Sequence, residues 1–380
     1  MDFLLTEEQQ MIKQTARDFA EQEIAPTAIE RDKTGTFPTE IVQKLGELGF
    51  MGMMVDPKYD GAGMDTVSYA LAMMEISKVD ASVGVIMSVN NSLVTFGLEK
   101  WASEEVKEKY LKPLARGEKL GAFALSEPEA GSDATQQQTQ AEQDGDFWVL
   151  NGMKNWITNG TSADYYIVFA QTDREKRHKG ITAFIVEKGT AGFTHGVKED
   201  KLGIRSSDTC SLSFDNCRVP KENILWEVGK GFNFAMNTLN GGRYGIASQA
   251  VGIAMGAFEK ALKYSKERKA FGTEISNHQA IQFKLADMAT KIEAAKLLTL
   301  QACGLKDAGK EYIKEASMAK LYASEVAVEV SREAIQILGG YGYVREYEVE
   351  RMYRDAKITE IYEGTSEIQR IIIGRSILKD

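Results

Sequence analysis

Apolar positions recur at helical spacing over the first third of the chain, give way to short β-branched and aromatic runs in the middle, and return to helical spacing from about residue 231 onward. Met11, Thr15, Phe19 and Ile24 approximate one face of an opening helix. Thr6-Glu7-Glu8-Gln9 marks its start, because the hydroxyl and the amide three positions later can cap each other's backbone donors. Ser103-Glu104-Glu105 opens a later helix, which Arg116-Gly117 closes with a cation and a glycine.

In the middle stretch Phe147 to Leu150, Tyr165 to Ala170, Ile181 to Val186 and Cys210 to Phe214 read as strands. Asn151-Gly152 and Asn159-Gly160 read as tight turns, which favours antiparallel pairing. Beyond them Ile281, Leu285, Met288 and Ile292 form one apolar stripe, and Val326 and Val330 continue the same period. The pattern predicts a mainly α protein with a central β domain: an N-terminal helical domain over residues 1–120, a small antiparallel β domain over 121–230 and a C-terminal four-helix bundle over 231–380.

Composition narrows the function. With 380 residues the chain is long enough for two or three domains around a large shared interior, so a water-poor site is feasible. The net charge of −9, with no long basic run, argues against a nucleic-acid partner. Three cysteines without C-x-x-C spacing suggest neither a disulfide framework nor a zinc site, and three scattered histidines give no metal set and no triad. The N-terminus is too acidic for a transit peptide, and no apolar run reads as long enough to span a bilayer, so a cytoplasmic protein or an already processed mitochondrial matrix protein is expected. Neither G-x-G-x-x-G after a strand nor G-x-x-x-x-G-K-[ST] occurs, and Gly339-Gly340-Tyr341-Gly342 alone reads equally well as a helix end.

Several stretches together are more specific. Phe123-Ala124-Leu125-Ser126-Glu127-Pro128, Ala130-Gly131-Ser132-Asp133 and Trp156-Ile157-Thr158-Asn159-Gly160 lie in the β region. Glu267-Arg268-Lys269-Ala270-Phe271-Gly272, His278-Gln279-Ala280, Gln336 to Gly342, Arg354-Asp355-Ala356-Lys357 and Ile361-Tyr362-Glu363-Gly364-Thr365 follow in the helical region. The set resembles the acyl-CoA dehydrogenases from the first helix to the last, with the short-chain, butyryl-CoA members nearest in pattern.

The resemblance implies an FAD held without a Rossmann fold, between the β domain and the bundle. Trp156 would shield one flavin face, the backbone and hydroxyls of Ser126 and Thr158 would hydrogen-bond its polar edge, and Phe123 and Leu125 would also bind the cofactor. Taken singly, Trp156 reads as a core tryptophan and the hydroxyls as turn residues. Arg268, Phe271 and Gln279, with Gln336 and Gly340 from a neighbouring subunit of a homotetramer, would enclose the adenosine half, and Thr365 and Glu367 would lie near the same cofactor.

The implied reaction is α,β-dehydrogenation of an acyl-CoA to a trans-2-enoyl-CoA, with electrons passing to electron-transfer flavoprotein. Glu363 would take the α proton, in an apolar setting that raises its pKa, and its backbone N–H would help bind the thioester oxygen. Gly364 lets the chain pass close to the ligand. Ser132, Asn240 and Arg243 match substrate contacts of the family, although Asn240 replaces the usual Asp, its amide oxygen remaining able to accept a bond from the CoA arm. Some members place the base where this chain has Gly242. A short straight acyl chain is expected; the alternatives are a branched-chain dehydrogenase, an oxidase of the same fold and a non-catalytic CoA-binding scaffold.

Overall fold

Thr6 caps the first helix, Glu7–Phe19, as its motif predicts: Gln9 N–H donates to Thr6 Oγ1 at 3.2 Å and Thr6 N–H to Gln9 Oε1 at 3.1 Å. The computed structural model describes residues 4–379. The buried stripe of this helix runs through Ile12, Ala16, Phe19 and Ala20. Met11 points to solvent instead, so the stripe lies one residue away from its expected phase at this end.

Helices continue to Ala115, with Ser103 capping Glu104–Val106 and Gly117 leaving the last turn at φ 71°. Ala81–Trp101 is long and apolar enough to cross a membrane, contrary to the sequence expectation, yet 94% of its apolar window is buried inside the protein. It is a core segment, packed with the helices Thr66–Val79 and Gly231–Glu267.

The middle of the chain forms a mixed sheet. Phe147–Thr158 pairs antiparallel with Gln140–Asp144 and with Thr209–Pro220, and Tyr165–Gln171 pairs antiparallel with Ile181–Glu187. Gly121–Ala124 adds parallel to Tyr165–Gln171, a pairing that turn signals cannot reveal because it joins distant segments. Asn151-Gly152 is a bulge within one long strand rather than a turn: the register shifts between Leu150 and Gly152, and a side chain at Gly152 would press on Thr139 Cα at 2.7 Å. Asn159, at φ 62°, does turn the chain as expected.

Three long helices, Gly231–Glu267, Gln279–Asp307 and Ile313–Leu338, build the last part, joined by Val349–Ile358 and Ser366–Ile377. Met288, Ile292, Val326 and Val330 are buried between them, with Ile281 and Leu285 packed at the margin.

One cluster ties the three parts together. Arg354 grips Asp32 of the first part with two bonds of 3.0 and 2.6 Å, bonds Glu350 on its own helix, and donates to the Leu202 carbonyl of the β part at 3.1 Å. Asp355 accepts the Ile204 N–H at 2.5 Å, and burial pushes its carboxyl up to about 7 against the pull of Arg351. The Arg354-Asp355 motif is thereby explained as a junction. Replacing Arg354 by Ala leaves Asp32 and Glu350 without their cation and should destabilise the protein by about 3 kcal/mol; a lowered melting temperature for Arg354→Ala, with Arg354→Lys closer to wild type, checks this.

Candidate active site

The turn after Val349–Ile358 carries Tyr362, Glu363 and Gly364 before Thr365 caps Ser366–Ile377. Glu363 has φ 52° and Gly364 φ 93°, so the backbone here is left-handed twice in succession. A glutamate in that conformation costs about 1 kcal/mol or more and persists only where its surroundings hold it. They do so from three sides. The Tyr362 hydroxyl donates to Gln249 Oε1, and Gln249 donates onward to the Ala81 carbonyl at 2.8 Å. Gln369 Nε2 donates to the Gly364 carbonyl at 2.9 Å and the Glu363 carbonyl at 3.3 Å. Lys320 Nζ donates to the Gly364 carbonyl at 2.7 Å.

The residue as a whole keeps some surface, but Glu363 Oε2 is shielded from solvent and has no hydrogen-bond partner among the described residues. Burial pushes the carboxyl up to about 7, while Lys320 and then Arg243 pull against it. The carboxylate lies against Gly242 on the helix Gly231–Glu267: a methyl group there would stand 2.8 Å from Glu363 Cδ, overlap Oε2, and meet Leu93 Cδ2 at 3.0 Å. Among the described residues nothing accepts the Glu363 N–H, which leaves that donor for a ligand.

One turn of that helix also carries Asn240 and Arg243. Arg243 is buried, its guanidinium drawn down to about 10 by burial and supported by Glu363 and Tyr312. Its Nη1 donates to Asn240 Oδ1 at 2.6 Å. The amide oxygen expected to serve the CoA arm is therefore engaged by Arg243, which leaves the Asn240 amide nitrogen as the donor toward a ligand.

A second group lies in the β part. The Ser126 carbonyl accepts the Asn155 N–H at 2.8 Å, next to Trp156. Trp156 is 61% exposed at φ 61°, on a bulge where the register shifts between Lys154 and Ile157, so it is no core tryptophan. Thr158 pairs with Thr209 across the sheet, Leu125 is buried, and the Phe123 ring packs 5.0 Å from Phe169. Ser132 is exposed on the following loop.

Lys154 was not anticipated. Buried completely, it donates to Glu127 Oε1 at 2.7 Å, Gln137 Oε1 at 2.9 Å and the Leu125 carbonyl at 3.3 Å, and burial draws its ammonium down to about 8. Glu127 in turn accepts the Gln138 N–H at 2.5 Å and the Thr139 N–H at 3.1 Å. The network fixes the Leu125-Ser126 segment against the strand that carries Trp156.

In the third group, Arg268 and Gly340 line one cavity of about 550 Å³ with Gly339, Tyr264 and Tyr341. The expectation divided Arg268 and Gly340 between subunits; within this single chain they share one cleft. Gln336 is exposed on the last turn before it. Phe271 and Gly272, at φ 52° and 83°, form the two-residue turn of a small hairpin that leaves Phe271 96% exposed, with His278 at its ring edge and Gln279 next in the chain. Thr365 accepts the Ile368 N–H as a helix cap at 3.4 Å, and Glu367 stands exposed in the first turn.

A basic cleft was also missed. Arg174, Arg177 and His178 line a cavity of about 540 Å³ with Thr135 to Gln138, and Lys176, Lys179 and Lys230 border a neighbouring one of about 380 Å³. The run Arg174-Glu175-Lys176-Arg177-His178-Lys179 was its visible signal.

Family models for the acyl-CoA dehydrogenase N-terminal, middle and C-terminal domains match residues 6–118, 122–217 and 229–378. The chain belongs to the acyl-CoA dehydrogenase family. It is 54% identical to the mitochondrial short-chain specific acyl-CoA dehydrogenase of Rattus norvegicus, over 99% of this chain and 91% of that one. The solved butyryl-CoA dehydrogenase of Megasphaera elsdenii is 50% identical, with a TM-score of 0.98 and full coverage of both chains. A chain from a structure described as the electron transferring flavoprotein of Acidaminococcus fermentans is 53% identical, with a TM-score of 0.99 and full coverage of both.

Acyl-CoA dehydrogenases are FAD-dependent, and the residues present fit that cofactor. An added Cβ at Gly339 or Gly340 would meet nothing within 4 Å, so bare backbone faces open space beside the Arg268 guanidinium. Such a cradle suits a phosphate-bearing ligand. Trp156 and Phe271 present large apolar faces that the protein itself leaves uncovered.

Gly242→Ala should fold but displace the Glu363 carboxylate, lowering turnover about 100-fold or more with FAD retained; the flavin spectrum and steady-state kinetics check both halves.

Proposed function

We propose that the chain oxidises short, straight-chain acyl-CoA thioesters to trans-2-enoyl-CoA and hands the electrons to electron-transfer flavoprotein. The observation that carries this reading is the buried Glu363 carboxylate, raised to about 7 with Oε2 unpaired. A base of that strength is poised to take an α proton near neutral pH. The Glu363 N–H and carboxylate arise from one residue, so the same turn binds the thioester oxygen and receives the proton. Arg243 adds a buried positive charge beside the developing enolate, and Asn240 offers its amide N–H to the pantetheine arm with Ser132. Gly364 keeps the backbone slim where the thioester passes. Arg174, Lys176, Arg177, Lys179 and Lys230 supply the cations that the phosphates of CoA require.

FAD, when bound, supplies the acceptor for the hydride leaving the β carbon. Trp156, Thr158, Ser126, Leu125 and Phe123 would hold its ring system, with Arg268, Phe271, Gln279, Gln336, Gly340, Thr365 and Glu367 along its remaining length. The uncovered Phe271 hairpin supports a homotetramer in which neighbouring copies complete the cofactor site. Short-chain specificity and the flavoprotein partner rest on the rat, Megasphaera and Acidaminococcus similarities. Three domains, over 1–120, 121–230 and 231–380, and a cytoplasmic setting complete the reading.

Glu363→Gln should retain FAD and bind thioester but lose dehydrogenation by about 1,000-fold; near-normal turnover sinks the assignment. In the wild type the rate of flavin bleaching by butyryl-CoA should climb as pH rises through about 7, because the raised Glu363 carboxyl must be ionised to act. A series from C4 to C16 and branched thioesters reads the chain-length preference, and reoxidation by oxygen instead of electron-transfer flavoprotein would point to an oxidase. A colourless protein would mean a CoA-binding scaffold.

A further inference from the structure

Lys320 sits on the helix Ile313–Leu338 with none of its surface exposed. A fully buried ammonium is costly unless it is paired, yet among the described residues Lys320 has no carboxylate within ion-pair distance. Its hydrogen bond goes to a neutral acceptor, the Gly364 carbonyl, at 2.7 Å. That bond places the cation one peptide from Glu363, whose Oε2 is itself buried and unpartnered. A buried cation without an ion-pair partner and a buried carboxylate oxygen without a hydrogen bond make sense as a pair acting across the turn.

We propose that Lys320 is a positioning residue of the dehydrogenation reaction: it holds the Glu363-Gly364 turn by its hydrogen bond and keeps the Glu363 carboxylate ionised by its charge. The proposal rests on Glu363 being the base. The groups facing Glu363 are few. Lys320 comes from Ile313–Leu338, Arg243 from Gly231–Glu267, the Tyr69 phenol from Thr66–Val79, and the Tyr362 phenol from its own turn. Burial and the Glu363 charge raise both phenols, so they stay neutral and only the two cations can offset the carboxylate. Of these, Lys320 acts on it more strongly than Arg243, and Glu363 is in turn the strongest charge acting on Lys320, ahead of Glu360, Arg243 and Glu367.

Gln369 separates the two roles. It donates to the same Gly364 carbonyl at 2.9 Å and carries no charge, so it shares the mechanical task and none of the electrostatic one. A purely structural role for position 320 would be met by any donor. A neutral donor there would leave burial of Glu363 opposed by Arg243 alone and strengthen the carboxyl's hold on its proton.

The test uses the FAD-loaded full chain. In Lys320→Gln the acid limb of the pH profile for flavin bleaching by butyryl-CoA should move up by about one to two pH units. It should stay in place in Lys320→Arg, which keeps the charge, and in Gln369→Leu, which loses rate without moving the limb. A second readout needs no turnover: at pH 7.5, below the value of about 8 to which burial draws the Lys320 ammonium, Lys320→Gln should lower the melting temperature more in wild type than in a Glu363→Gln background, where the strongest carboxylate acting on Lys320 is gone. Soluble Lys320→Gln protein obtained only in the Glu363→Gln background supports the proposal equally. An unmoved acid limb, equal melting losses in both backgrounds, or failure to fold in both overturns it. Full turnover by Glu363→Gln would instead sink the choice of base and leave the melting comparison to be read independently.

Discussion

Glu363 must keep its carboxylate away from water and still be able to ionise, and the two demands conflict because burial favours the neutral acid. The surrounding residues reconcile them. Arg243 and Lys320 bring positive charge from two helices that flank the turn, neither close enough to lock the carboxylate into an ion pair that would make it a poor base. Gly242 yields the volume the carboxylate occupies. The turn adopts a backbone shape that glutamate disfavours, so its hydrogen bonds through Gln249, Gln369 and Lys320 hold the reacting group in place.

The same economy recurs away from the base. Lys154 and Glu127 bury a charged pair to fix the segment beneath Trp156, and Arg354 with Asp355 binds all three parts of the chain a few residues before Glu363. Buried polar networks of this kind add little net stability but specify one geometry, which a site made from separate segments needs. Left-handed backbone at Trp156, Phe271 and Glu363 tells the same story from the other side: each side chain is aimed by a local distortion that an ordinary strand or helix would not provide.

What could be read from the sequence follows the range of the interaction. The Thr6 capping box and the Ser103 cap were legible because donor and acceptor lie within three residues. The parallel strand Gly121–Ala124 was not, since its partner begins at Tyr165. Asn151-Gly152 misled because a bulge and a turn use the same residues, and only the strand continuing to Thr158 distinguishes them. At the site, the motif around Glu363 pointed to the base, yet Lys320 and Lys154 carried no local signal: their partners lie 44 and 27 positions away. The Asn240 oxygen looked free until Arg243, one turn on, was seen to take it.

Gly242 and Glu363 occupy a single compartment from opposite walls. The space holds the bulk of one acidic side chain, here that of Glu363. Substitution at either position is therefore conditional on the other, and an evolutionary path that relocates the base must pass through a chain with two side chains crowding one space or with none filling it.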